Sequence, residues 1–221
     1  MSETERFSAG IYTEKKFLLK ELMIVGFAAR GKLDNNWVSL SAFHFGGASY
    51  NERQVGLGVG RSLGKMSIGM HVAVFSTRIN NRQVLSTVQT IVASIWKIHP
   101  DVYSSVRIRN IDRLFFAGSK NQYQVAAAFN AGVGYNSSKT VYVGMEFEKE
   151  SNRSFEVIGI LRFEVSEHYF FKGTWNSATH QPRVSAGWLA KKIHVEAGVE
   201  YHMVLGITPS VAMYINKQVS E

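Results

Sequence analysis

The sequence predicts an all-β fold: a closed antiparallel transmembrane β-barrel of about fourteen strands. Three observations carry that expectation. Apolar residues alternate with polar or tiny ones, residue by residue, which is the mark of strands with two unlike faces. The alternating runs are mostly about 9 to 12 residues long, where a soluble sheet uses five or six, and a tilted strand needs that length to cross a bilayer. The polar face is rich in glycine, where the solvated face of a soluble sheet carries Lys, Glu and Thr.

Taken in order, period-two runs bounded by Gly, Asn, Asp, Ser or Lys turns span about 5–13, 21–30, 36–46, 53–62, 66–77, 86–97 and 102–110. The second half continues with about 122–135, 140–149, 154–164, 168–176, 183–190, 192–202 and 208–216. The even count suits a bacterial single-chain barrel. In the fourth run Val55, Leu57 and Val59 are expected to meet lipid, opposite Gln54, Gly56, Gly58 and Gly60. In the fifth, Met66, Ile68, Met70, Val72 and Val74 stand against Ser67, Gly69, His71 and Ala73. In the eighth, Tyr123, Val125, Ala127, Phe129, Ala131, Val133 and Tyr135 form the outward set, and Gln124, Ala126, Ala128, Asn130, Gly132 and Gly134 the inward one. The ninth sets Val141, Val143, Met145 and Phe147 against Tyr142, Gly144, Glu146 and Glu148, with Val143 expected at the lipid midplane. The thirteenth sets Ile193, Val195, Ala197, Val199 and Tyr201 against His194, Glu196, Gly198, Glu200 and His202.

Turns complete the reading. Leu63-Gly64-Lys65, His99-Pro100-Asp101, Asn136-Ser137-Ser138 and Ser151-Asn152-Arg153 read as tight turns of the periplasmic end. The longer connections, Lys15 to Lys20, Gly47 to Glu52, Ile79 to Leu85 and Ile111 to Asn121, read as loops of the outer end. Tyr12, Trp37, Tyr50, Trp96, Tyr103, Tyr123, Tyr135, Tyr169, Trp175, Tyr201 and Tyr214 are expected in the aromatic girdles.

Composition agrees with this fold. The 221 residues are 45% apolar, with a mean hydropathy of -0.07, because a barrel places its apolar residues at alternate positions. No apolar run approaches the about 18 residues that a membrane helix needs. Cysteine is absent, which excludes disulfides, thiolate nucleophiles and Cys-ligated zinc. The formal net charge is +8, but Lys and Arg are scattered, and pairs such as Lys15-Lys16 and Lys191-Lys192 fall at turns. That pattern fits anionic lipid headgroups and argues against nucleic acid as a partner. Met1 to Glu5 is polar and acidic and does not read as a signal peptide. The chain reads as one domain over 1–221.

Chemistry is sparse. His194 and Glu196 lie about 7 Å apart on one strand face, near enough to share a ligand, yet a solvated lumen of mixed charge explains them better, and no metal or cofactor is expected. V-G-L-G-V-G-R at Val55 to Arg61 superficially matches a dinucleotide fingerprint, but its glycines alternate inside one strand instead of opening a helix. They are expected to make room for a plug, a ligand or water. Arg107 with Arg109, and Glu146 with Glu148, form like-charged pairs on inward faces. The candidate lumen residues are therefore Gln54, Gly56, Gly58, Gly60, His71, Arg107, Arg109, Gln124, Asn130, Glu146, Glu148, His194, Glu196, Glu200 and His202. The lumen is expected to be more acidic beside the later strands and, if conducting, to prefer cations.

Arg6 to Leu22 with F-L-L-K-E-L, Tyr50 to Ile79 with Y-N-E-R-Q-V-G-L-G-V-G-R and K-M-S-I-G-M-H, and Val199 to Tyr214 with V-E-Y-H-M-V-L-G-I-T-P-S-V-A-M-Y resemble Bacteroidota outer-membrane barrels of the PorV/PorQ type and, more distantly, FadL-type channels. That resemblance implies a fourteen-stranded barrel in a Gram-negative outer membrane. Relatives also carry a signal peptide and a Gly/Ala/Asn-rich segment that packs inside the barrel, and the expectation here is a chain without either. Two functions are implied: a channel for small or hydrophobic solutes, or a non-transporting accessory barrel docked on an envelope machine such as type IX secretion. A soluble barrel or sandwich that binds a ligand is a weaker alternative. An enzyme is weaker still, for no G-x-S-x-G or Ser-His-Asp arrangement is legible.

Overall fold

The computed structural model describes residues 5–80, 83–111 and 126–218. Their strands are β1 (Glu5–Lys15), β2 (Met23–Leu33), β3 (Asn36–Gly46), β4 (Tyr50–Leu63), β5 (Met66–Ile79), β6 (Gln83–His99), β7 (Val102–Arg109), β8 (Ala128–Asn136), β9 (Val141–Glu150), β10 (Glu156–Glu164), β11 (Tyr169–Asn176), β12 (Gln181–Leu189), β13 (Ile193–His202) and β14 (Gly206–Gln218). Each pairs antiparallel with its neighbours in sequence, and β1 pairs with β14 from Phe7↔Lys217 to Glu14↔Ser210. Closure leaves no free edge strand around the barrel.

The register carries one face around the wall, because directly opposed residues point the same way. Leu40 faces Leu57, and Leu57 faces Val72; all three lie on the outside and are exposed, Leu57 to 67%. Their alternates face inward. Gly56 lies between Ser41 and Ala73, and Ala73 is fully buried. In these rows large apolar residues lie outside and small ones inside, the inverse of a soluble barrel, which would pool its apolar faces in one core. The soluble sandwich or lipocalin-like alternative fails on this point. On β4 the outward apolar residues lie between Arg53 and Arg61. Eight residues make about 27 Å of strand, or about 20 Å along the axis at a tilt of about 40°, close to the apolar band of a membrane barrel.

Most connections are two to five residues long by their strand limits. Asp34 and Gly64 turn two of them with positive φ, at 53° and 66°. Ser138 Oγ accepts from the amides of Thr140 and Val141 to close the β8–β9 turn, and His202 Nδ1 accepts from those of Val204 and Leu205 to close β13–β14. Between β1 and β2 the chain makes two short 3-10 turns, Lys16–Leu18 and Lys20–Leu22. The longest connection, 110–127, is pinned at its base. There Asn110, buried and at φ 54°, donates to the Ala126 carbonyl, while its Oδ1 accepts from the Thr90 amide.

Four expectations need correction. Ser151-Asn152-Arg153 joins β9 to β10, so strict alternation of ends puts it with the loops, opposite Leu63-Gly64-Lys65. Tyr12, Trp37, Tyr50, Tyr103 and Tyr214 carry the inward parity, opposite or beside Gly26, Gly60, Glu52, Gly134 and Gly10. Among the described residues, the outward Trp and Tyr side chains are Trp96, Tyr135, Tyr169 and Trp188 toward the turn end, with Trp175 and Tyr201 toward the loop end. Ala127 is buried rather than outward, because β8 begins only at Ala128; Tyr123, Gln124 and Val125 lie outside the described residues. Val143 faces outward but opposite Tyr135, at girdle depth rather than midplane.

Candidate functional site: the barrel lumen

Pairing registers place Gln54, Gly56, Gly58 and Gly60 of β4, His71 of β5, Arg107 and Arg109 of β7, and Asn130 of β8 on the inner face. They place Glu146 and Glu148 of β9, and His194, Glu196, Glu200 and His202 of β13, there as well. Gln124 lies outside the described residues.

What occupies the glycine stripe is the wall's own set of rings. Tyr142 lies across Gly134 and Gly144: a Cβ added at either would sit 2.5 Å or 2.9 Å from its Oη. Phe170 lies on Gly187 and His71 on Gly56, where added Cβ atoms would overlap ring carbons. His71 Nε2 is also 2.9 Å from Ser41 Oγ, which holds the ring along the wall. Glycine at these positions lets each side chain fold flat instead of projecting across the lumen. Phe170 is buried between Gly187 and the Arg162 guanidinium, whose carbon stands 3.9 Å from the ring centroid. Gly187→Ala is expected to lower stability by about 1–3 kcal/mol, the range of an overpacked site, and Phe170→Ala in the same chain to relieve the clash. Equal unfolding midpoints for Gly187→Ala and wild type would remove this account.

Charge is organised as a ladder of pairs along β7 to β14 and β1. Arg183 of β12 reaches Glu14 of β1 at 2.7 Å and Glu200 of β13 at 2.9 Å, with its Nη1 donating to Tyr12 Oη at 3.3 Å. Tyr12 Oη in turn donates to Glu14. Lys172 Nζ stands 2.5 Å from Glu196 Oε1, which also accepts from Ser185 Oγ at 2.7 Å. Arg162 pairs with Glu164 at 3.1 Å. Arg109 pairs with Glu148 at 3.4 Å, and Asn130 donates to Glu148 at 2.6 Å while accepting from Arg107. The later strands therefore carry no bare acidic wall, because Lys172, Arg162 and Arg183 interleave with Glu196, Glu164 and Glu200. Among the described residues no cluster of three or more His, Asp or Glu is placed to hold a metal. The His194 ring lies tilted against Tyr214, ring centroids 4.8 Å apart, and Glu196 is taken by Lys172.

The facing arc, β2 to β6, differs in kind. Its inward residues include Ile24, Phe43, Phe45, Phe75 and Ile91, set among Gly26, Gly56, Gly58, Gly60 and Ala73. One wall carries the ladder of ion pairs; the other mixes aromatic and aliphatic side chains with glycine and alanine, and its inward charges are Arg30, Lys32, Glu52 and Lys97. Sequence reasoning missed Glu14, Tyr12, Arg162, Lys172 and Arg183 as lumen residues. Parity alone supplies the signal: Tyr12 and Glu14 alternate with Ile11 and Thr13, and Arg183 shares parity with Ser185 and Gly187.

No protein-family model matches the chain, and no curated protein does. Solved structures do. The chain is similar to the CymD monoaromatic hydrocarbon channel, with a TM-score of 0.70 and 9% identity over 99% of this chain and 90% of that one. It is similar to the Acinetobacter baumannii outer membrane protein Omp33, with a TM-score of 0.64 and 8% identity over 96% and 98% of the two chains. A mutant porin of Rh. blastica gives a TM-score of 0.55 and 8% identity over 96% and 99%. At 8–9% identity these likenesses show a shared fold, the closed barrel of outer-membrane channels and porins, and the lumen must be read from this chain's own side chains.

Proposed function

We propose that the protein is an outer-membrane β-barrel channel for small or hydrophobic solutes. The observation that carries this reading is the flat packing of Tyr142, Phe170 and His71 onto inner-wall glycines, which keeps bulk out of the lumen. An apolar outer band and the barrel likeness to channels and porins support it. In planar bilayers the purified protein is expected to give stable unitary current steps. Absence of both conductance and solute uptake into proteoliposomes would overturn the reading. Because Glu14, Glu148, Glu164, Glu196 and Glu200 are paired with cations, cation preference is expected to be weak, and Glu196→Gln with Glu200→Gln to turn it toward anions by freeing Lys172 and leaving Arg183 with Glu14 alone. Reversal potentials in a salt gradient measure this; an unchanged preference removes the paired-ladder account.

The finer assignment to Bacteroidota barrels of the PorV/PorQ type rests on the three motif stretches. One feature favours the accessory role within that group. Met203, Val204 and Leu205 form an exposed apolar tip at the loop end, beside the likewise exposed Leu18 and Leu19. If an envelope protein docks there, crosslinking from Val204 in native membranes captures one discrete partner, and Val204→Asp abolishes it.

A further inference from the structure

The outer wall carries a cationic patch at the loop end of β3 to β6. Opposed residues put His44 of β3, Arg53 of β4, Ser76 of β5 and Ser86 of β6 side by side on the lipid face. Arg78 stands two residues beyond Ser76 on the same face of β5. It is therefore the diagonal neighbour of Arg53, at about 7–8 Å, a gap that two long side chains close. Both arginines are exposed, and neither has a hydrogen-bond, ion-pair or ring partner among the described residues. The next row toward the midplane on this face holds Val55, Val74 and Val88, all exposed. The patch thus sits on the rim of the apolar band.

Two features separate it from a general ring of interfacial cations. From β7 to β14 the outward positions nearest the loop end are aliphatic, aromatic or proline, from Ile108 and Phe129 to Tyr201 and Ile207, except Lys149. The Lys149 ammonium is engaged, donating to the Arg153 carbonyl at 2.7 Å. No carboxylate offsets the patch either. β3, β5 and β6 contain no Asp or Glu, and Glu52 of β4 faces the lumen, where it accepts from the Tyr50 hydroxyl. Glu21 lies against Gly47 in the β3–β4 connection and pairs with neither arginine. Two unpaired cations side by side repel each other, and an anion between them relieves the repulsion.

We propose that this patch binds a lipid through a phosphomonoester headgroup, with the acyl chains lying along the outer wall over Val55, Val74 and Val88. Arg53 and Arg78 take the phosphate from two heights, each fork matching a pair of its oxygens. The Ser76 hydroxyl, opposite Arg53 and two residues from Arg78, donates between them. A phosphomonoester carries about −1.5 to −2 charge at pH 7 and three acceptor oxygens, which suits two guanidiniums. A phosphodiester headgroup has a single charge and leaves one arginine unmatched. Free phosphate meets the cations but covers none of the valine row, so the occupant is a lipid. The site is on the outer wall and stands whether or not the lumen conducts.

Native mass spectrometry of the full chain purified in detergent tests this, with equimolar dioleoyl phosphatidic acid and dioleoyl phosphatidylglycerol as probes that differ in the phosphate and share their chains. Phosphatidic acid is expected to bind at least about tenfold tighter, the scale of one added charge-assisted hydrogen bond. Arg53→Gln and Arg78→Gln should each bring it down to the level of phosphatidylglycerol. Ser76→Asp keeps both arginines but sets a carboxylate between them, and should remove the preference as well. Arg61→Gln, at an exposed outward arginine of the turn end, should leave the preference unchanged. Folding of every variant is checked by strand signal in circular dichroism. Equal binding of the two lipids by the wild type, or a preference that survives Arg53→Gln and Arg78→Gln together, overturns the inference. A preference lost equally in Arg61→Gln is a general charge effect and overturns it too. Displacement of phosphatidic acid by the same concentration of inorganic phosphate makes the occupant a free anion and overturns the lipid assignment.

Discussion

Arg183→Ala is expected to destabilise the barrel by about 3 kcal/mol, the low end of the cost of removing one member of a buried ion pair. Glu14 is only 5% exposed and receives Arg183 at 2.7 Å, from a strand three places away around the wall. The same guanidinium donates through Nε to Glu200 at 3.0 Å. Without it, Glu14 keeps the Tyr12 hydroxyl as its hydrogen-bond partner among the described residues, and Glu200 loses the Arg183 cation. Water in the lumen offsets part of the loss, which sets the value at the low end. Arg183→Lys should fall between, since an ammonium supplies charge without the fork that spans both carboxylates. Adding Glu14→Gln to Arg183→Ala should recover much of the loss by removing the stranded charge. Denaturant unfolding in phospholipid micelles reads all three. A change within about 0.5 kcal/mol for Arg183→Ala, the scatter of ordinary surface substitutions, would show that the ladder carries no stability.

The two-faced alternation makes the strands legible, because each face meets a different surrounding and period two is then enforced along every run. Residue type is a poorer guide than parity. It puts Tyr12 and Trp37 in a girdle because they are aromatic and near strand ends, yet each shares its parity with inward neighbours, Glu14 and Ser39. Shortness sorts Ser151-Asn152-Arg153 with the tight turns, whereas counting strands fixes its end. The lumen's pairings are out of reach for a different reason. Arg183 and Glu14 are 169 residues apart and meet only through the closure register of β14 on β1. The glycine stripe is legible as close approach, but not as approach by Tyr142, Phe170 and His71, because ring orientation depends on the neighbouring strand.

Depth along the wall decides the second large effect. Leu57→Arg is expected to cost about 2–4 kcal/mol, the penalty for a cation on the lipid face at the bilayer midplane. Leu57 stands midway between Arg53 and Arg61 on β4, 67% exposed, and is flanked by Leu40 and Val72 on the same outer face. The side chain is too deep to carry its charge readily to either interface. Val143→Arg should cost only about 1 kcal/mol or less, since Val143 lies beside the girdle residue Tyr135 and a long side chain there reaches the headgroups. Ala28→Arg probes the other face at nearly the depth of Leu57, because Ala28, Ser41 and Gly56 form one row across β2, β3 and β4. Ala28 is exposed toward the lumen, so its arginine stays hydrated and the cost should remain well below that of Leu57→Arg. Unfolding free energies of the three variants in phospholipid vesicles give the comparison. Equal costs for Leu57 and Ala28 would deny the assignment of faces. A Val143 cost as large as that of Leu57 would move the apolar band toward the turn end.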